Sequence, residues 1–117
     1  MGWPEVAIVV KDGAMSIGYQ YQKLGAAVRA LGSLTLPAET RVALAMGEFF
    51  TAYETGDKDK PPRSGEKYVE RIREIMEGSG SWEQRASELD ELELNDLSNA
   101  FFELEAIVGR AHFKSEQ

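Results

Sequence analysis

Asn95-Asp96-Leu97-Ser98-Asn99-Ala100-Phe101-Phe102-Glu103-Leu104-Glu105-Ala106-Ile107-Val108-Gly109-Arg110-Ala111 is the stretch whose reading decides the fold. Together with Leu94, its apolar residues Leu97, Phe101, Leu104, Val108 and Ala111 recur at alternating spacings of three and four. On a 3.6-residue helix that rhythm stacks them into one stripe, which predicts the helix against which the others pack. Immediately upstream lies the densest negative charge of the chain, Glu88, Asp90, Glu91, Glu93 and Asp96, five acids within nine residues and no base among them.

Further upstream, Ser81-Trp82-Glu83-Gln84 has the form of a capping box, a serine with a glutamine three residues on. It opens a helix with Trp82, Ala86 (or Arg85), Leu89 and Leu92 facing inward. That stripe is out of phase with Leu94, Leu97 and Phe101, which predicts a bend or break near Glu93 to Asn95, with Asn95 as N-cap. Gly78-Ser79-Gly80 separates this helix from one over about 65–77, capped by Ser64, with Tyr68 or Val69, Ile72, Ile75 and Met76 inside. On its outer face Glu66, Glu70, Arg73 and Glu74 attract and repel in similar measure. Before it, the segment 56–64 alternates charge and holds Pro61-Pro62, and reads as an extended, flexible loop.

Pro37-Ala38-Glu39 starts a helix reaching to about Thr55 that buries Val42, Ala45, Met46, Phe49 and Tyr53. Ile17, Tyr21, Leu24, Val28 and Leu31 carry a four-and-three rhythm that extends back through Ala14, Val10, Ala7 and Trp3. This predicts one long helix from about 4 to 32, kinked at Gly13 and stopped at Gly32. The β-branched run Val6 to Val10, followed by Lys11-Asp12-Gly13, supports a short N-terminal strand as the rival. The expected fold is all-α, a small antiparallel bundle of four to five helices in a single domain over 1–117.

A chain of 117 residues buries roughly two-thirds of its unfolded surface, enough for a core without staples. With no cysteine, thiol catalysis, disulfides and cysteine-ligated metals are excluded. The N-terminus lacks a basic n-region, and Val6 to Val10 is too short for a signal-peptide core or a membrane span, so a cytoplasmic protein without membrane contact is expected. The net charge is −7, and its placement is uneven: ten Lys/Arg against eleven Asp/Glu up to Ser81, three against nine from Trp82 onward. Direct binding to nucleic acid or to an anionic membrane needs clustered cations, which this distribution does not supply.

No phosphate-binding glycine loop or nucleophile elbow occurs. Glu48, Glu54, Glu103 and Glu105 lie near apolar faces, where paired carboxylates can act as acid and base. Helix-bundle metal sites, however, need Glu-x-x-His, and the sole histidine, His112, has Gly109 three residues before it. Asp57 and Asp59 begin like a calcium loop, but Lys58, Pro61, Pro62 and Arg63 destroy the ligand pattern. Neither an enzyme nor a cofactor or metal site is therefore expected. Adjacent aromatics cannot all face inward, which singles out Tyr19, Phe50 and Phe102 for a second apolar face and self-association.

Two functions fit these features. The leading one is a non-enzymatic protein-binding domain of the inhibitor, immunity or antitoxin type, whose residues Glu88, Asp90, Glu91, Glu93 and Asp96 mask a basic surface of a partner protein. The alternative is a structural subunit of a homo-oligomer or larger assembly. A plainer account of the acids is a solvated helix start, where carboxylates favour the dipole.

Overall fold

The computed structural model describes residues 13–53, 60–78 and 80–115. Five α-helices and one 3₁₀ turn occur among them: α1 (Gly13–Leu31), α2 (Ala38–Tyr53), the 3₁₀ turn (Arg63–Gly65), α3 (Glu66–Met76), α4 (Trp82–Ser87) and α5 (Glu91–Ser115). There is no strand among the described residues, and the chain is a small all-α helical bundle. No helix of the described residues is long and apolar enough to cross a membrane. The rest of the expected first helix, 4–12, and its rival strand over 6–10 lie outside the described residues.

The helices close into a ring. α1 packs on α2 and on α5, α3 packs on α5, and the short α4 bridges α3 and α2. Across the middle, α2 and α5 meet through side chains without backbone approach, and Phe49 and Phe101 lie edge to face with centroids 5.9 Å apart. Both side chains are fully buried, as are Leu97, Leu104 and Val108 along α5, the stripe expected from the spacing. Ile72 and Ile75 of α3, Met46 and Ala45 of α2, and Leu24 and Ala27 of α1 complete the core.

α1 and α5 approach closely because Gly109 has no side chain; a Cβ there would stand 2.8 Å from the Tyr21 ring. Tyr21 in turn stacks on His112. Gln20, a residue whose burial the apolar rhythm does not announce, is fully buried and donates through Nε2 to the Lys60 carbonyl at 2.9 Å. This bond ties the end of the interhelical segment to α1. Residues 56–59 of the loop expected over 56–64 are outside the described residues, but its final part is regular, since Arg63–Gly65 winds as a 3₁₀ turn.

Three expectations need correction. Ser64 does not cap α3; it lies inside the 3₁₀ turn, closed by Gly65 N–H on Pro62 O at 2.8 Å, and Gly65 holds the N-cap position without a side-chain bond. The break expected at Glu93 to Asn95 falls earlier, between Ser87 and Glu91, and Asn95 is inside α5. Its cause is a reciprocal capping box: Asp90 Oδ1 accepts from Glu93 N–H at 2.8 Å, while Glu93 Oε1 accepts from Asp90 N–H at 3.0 Å. With the helix restarted there, Leu92 is not on the core face but 79 % exposed. Ser81 does cap α4, its Oγ accepting from Gln84 N–H at 3.1 Å. The turn before it relies on Gly80, whose φ of +94° is disfavoured for any residue with a Cβ.

Urea denaturation distinguishes the two leucine-rich faces of α5. Phe101→Ala is expected to lower stability by about 3–5 kcal/mol, because the void left at the centre of the ring has no neighbour free to fill it. Leu92→Ala is expected to stay within about 0.5 kcal/mol of the parent.

Candidate functional site

The α4–α5 corner displays the acidic segment, and the five carboxylates there do different work. Glu88 faces solvent and pairs with Arg85 one turn earlier at 3.4 Å. Asp90 and Glu93 form the capping box just described, so each accepts an N–H at the start of α5, the positive end of its dipole. Asp96 reaches across to α3 and accepts from Arg71, with Nε at 2.9 Å and Nη2 on the same oxygen. Glu91 is exposed at the first turn of α5, beside a hollow of about 210 Å³ that it lines with Arg41, Asn95 and Ser98. Arg41 donates to the last carbonyl of α1, that of Leu31, at 3.2 Å.

The Asp96–Arg71 bridge makes one continuous surface of α3 and the α4–α5 corner. Hydrogen bonding to Asp96, then to Glu74, raises the Arg71 guanidinium above its ordinary pKa. Arg73 pairs with Glu70 at 3.0 Å. Arg85 is held on its other side as well, donating through Nε and Nη2 to the Ile75 carbonyl at 3.2 and 2.8 Å and so fastening α4 to the end of α3. Residues 66–96 contain ten Asp/Glu and four Lys/Arg, a net of −6 against −7 for the whole chain. Every arginine of that stretch is paired with a carboxylate of the same stretch.

Beside this surface is a cleft of about 450 Å³. It exists because α2 and α3, although consecutive, do not pack backbone to backbone. Met46, Phe49 and Met76 line it, and Phe50 and Trp82, with ring centroids 5.8 Å apart, form the end contributed by α2 and α4. Glu70, Arg73 and Glu74 of α3 and Glu77 just after it supply the polar side.

The three aromatics expected on a second apolar face are not gathered into one. Tyr19 lies on α1 under Lys23, whose Nζ is 5.5 Å from the ring centroid and 3.6 Å from Glu48 of α2. Phe50 is in the cleft, and Phe102 is on the outer side of α5, 47 % exposed. The carboxylates considered for acid–base work are also apart: Glu48 is on α2, Glu103 and Glu105 are on α5, and Glu54 lies outside the described residues. Among the described residues no three His, Asp or Glu side chains group as a metal site. What sequence reasoning missed is the cleft and the two arginine clasps, Arg71 on Asp96 and Arg85 on Ile75, which join positions far apart in the chain. The capping box, by contrast, is visible in the order Asp90-Glu91-Leu92-Glu93, an acid with a glutamate three residues on.

In comparisons with known proteins the chain matches no family model, no curated protein and no solved structure. Its surface is therefore the ground on which a function is argued. Within the acidic segment the structural and the available carboxylates separate in a stability measurement. Asp90→Ala is expected to cost about 1 kcal/mol through loss of the cap. A double-mutant cycle with Glu93→Ala should return less than additive losses, since both changes break one box. Glu91→Ala should leave the unfolding midpoint where it was.

Proposed function

We propose that this protein is a non-enzymatic protein-binding domain that covers a basic surface of a partner protein, in the manner of an inhibitor, immunity or antitoxin protein. The observation that carries the reading is the charge balance of α3 and the α4–α5 corner. There the arginines are already paired with neighbouring carboxylates, and an excess of six negative charges remains within 66–96. An uncompensated field of that kind accelerates encounter with a cationic surface and weakens as salt screens it. Of the five residues in the acidic segment, Glu88 and Glu91 are the ones offered to the partner. Asp90, Glu93 and Asp96 hold the corner in shape and contribute their charge from fixed positions.

A second reading is favoured by the outer side of α5. Leu92, Asn95, Asn99, Phe102, Ala106 and Phe113 recur there at three-and-four spacing, or sums of it, roughly opposite the core stripe, and Phe113 is 53 % exposed. Two copies pairing this face antiparallel would set Glu91 and Glu93 of one against Arg110 and Lys114 of the other. In that form the protein is a homo-oligomer subunit. Sedimentation equilibrium decides it: a dimer that Phe102→Asp with Phe113→Asp converts to monomer supports this reading, and a monomer at all concentrations contradicts it.

The leading reading is tested by the location of charge at constant total charge. Glu88→Lys with Glu91→Lys and, as control, Glu39→Lys with Glu103→Lys change the net charge equally. The first pair is expected to weaken binding of an octalysine peptide by about tenfold at low salt, an amount that fades as the Debye length shortens. The control pair is expected to weaken it by much less. Equal losses for the two pairs would mean that only net charge matters, and the acidic corner would have no special role.

A further inference from the structure

We propose that the cleft between α2, α3 and α4 is the pocket for one large apolar side chain of the partner, phenylalanine or leucine in size, carried between lysines or arginines. This rests on the reading of the acidic surface as a docking face for a basic protein and names the feature of the partner that the face selects.

The pocket is apolar where a side chain would enter. Phe50 remains 42 % exposed although its neighbours Phe49 and Met46 are buried, and it stands against Trp82 at the end of the gap. Such an aromatic pair gives an incoming ring edge and face to pack on. Met46 and Met76 are unbranched and adjust to its shape. At about 450 Å³ the cleft falls within the size of ligand pockets, roughly 300–1,000 Å³.

The lip of the pocket selects the charge of the occupant. Glu70 and Glu74 stand one turn apart on α3 and Glu77 follows as its C-cap, and all three line the cleft. Arg73 is the single cation among the lining residues and is paired with Glu70. Glu70 is paired with Arg73 and Glu74 with Arg71, which Glu74 shares with Asp96, while Glu77 has no cation in this set, so the lip keeps a negative excess that repels an anion and gives a neutral apolar ligand nothing to pair with. A lysine or arginine on either side of the inserted residue meets these carboxylates while staying wet, so it adds attraction without the cost of burying a charge. The Arg71–Asp96 bridge ties this lip to the first turns of α5, so the lip and the acidic corner are held in fixed positions relative to one another.

The test uses the full chain, ¹⁵N-labelled, and two capped peptides of equal charge, Lys-Lys-Phe-Lys-Lys and Lys-Lys-Ser-Lys-Lys. The Phe peptide is expected to bind about tenfold more tightly, the factor that partial burial of an aromatic ring supplies. It should also shift the Trp82 indole resonance, assigned by its loss in Trp82→Phe. Phe50→Ser is expected to remove the preference and leave the Ser peptide unaffected. Glu70→Lys with Glu77→Lys, both exposed on the lip, should weaken both peptides, and unchanged affinities there would overturn the placement. Equal affinities of the two peptides for the parent, with the Trp82 signal unmoved, would overturn the pocket while leaving the acidic surface standing. A preference for the Phe peptide together with full binding to the Glu88→Lys, Glu91→Lys variant would uphold the pocket and overturn the acidic corner.

Discussion

The edge-to-face contact of Phe49 with Phe101 is the constraint on which the rest of the structure depends. α2 and α5 stand on opposite sides of the ring with no backbone approach between them, and these two rings fill the distance. Packing is close on the α1 side, where Gly109 admits the Tyr21 ring and Leu24 and Ala27 are sealed. It is open on the other side. Among the described helices α4, six residues long, is the one that packs on both α2 and the end of α3, which do not approach each other backbone to backbone. The cleft is the consequence of a core held apart by aromatic rings at its centre and bridged by a single short helix at its edge.

That geometry also explains why charge gathers where it does. α3 is buried along Val69, Ile72, Ile75 and Met76, which leaves Glu66, Lys67, Glu70, Arg71, Arg73 and Glu74 in solvent. α5 begins beside it, and its first turn is acidic because a capping box and a helix dipole both favour carboxylates there. The two acidic elements would repel were Arg71 not between them. Its guanidinium binds Asp96 and Glu74 together, so a single cation allows α3 and the start of α5 to lie side by side. The negative surface is thus partly a by-product of folding. Its excess over what folding requires is what a partner would read.

Local rules were enough for much of this. The three-and-four rhythm of Leu97, Phe101, Leu104 and Val108 identifies the core side of α5, and Ser81-Trp82-Glu83-Gln84 announces the start of α4. Leu92 is misleading because it continues the phase of Trp82, Ala86 and Leu89, and only the Asp90–Glu93 box, which restarts the helix, turns it outward. Gln20 is illegible for a different reason. A buried amide is tolerable only with a partner, and that partner is the carbonyl of Lys60, forty residues away. The candidate site divides in the same way. The acids of 88–96 are plain in the sequence, whereas the division between capping and available carboxylates, and the cleft between α2 and α3, arise from tertiary packing. Phe50 stands out in the sequence as an aromatic beside another aromatic, but its companions Trp82 and Met76 come from other helices.

The measurement that bears most directly on this account is a map of backbone amide shifts on adding octalysine at low and at high salt. The account predicts shifts confined to α3, the α4–α5 corner and the rim of the cleft, collapsing as salt is raised. Shifts spread equally to the exposed acids elsewhere, at Glu39 and Glu103, would contradict it.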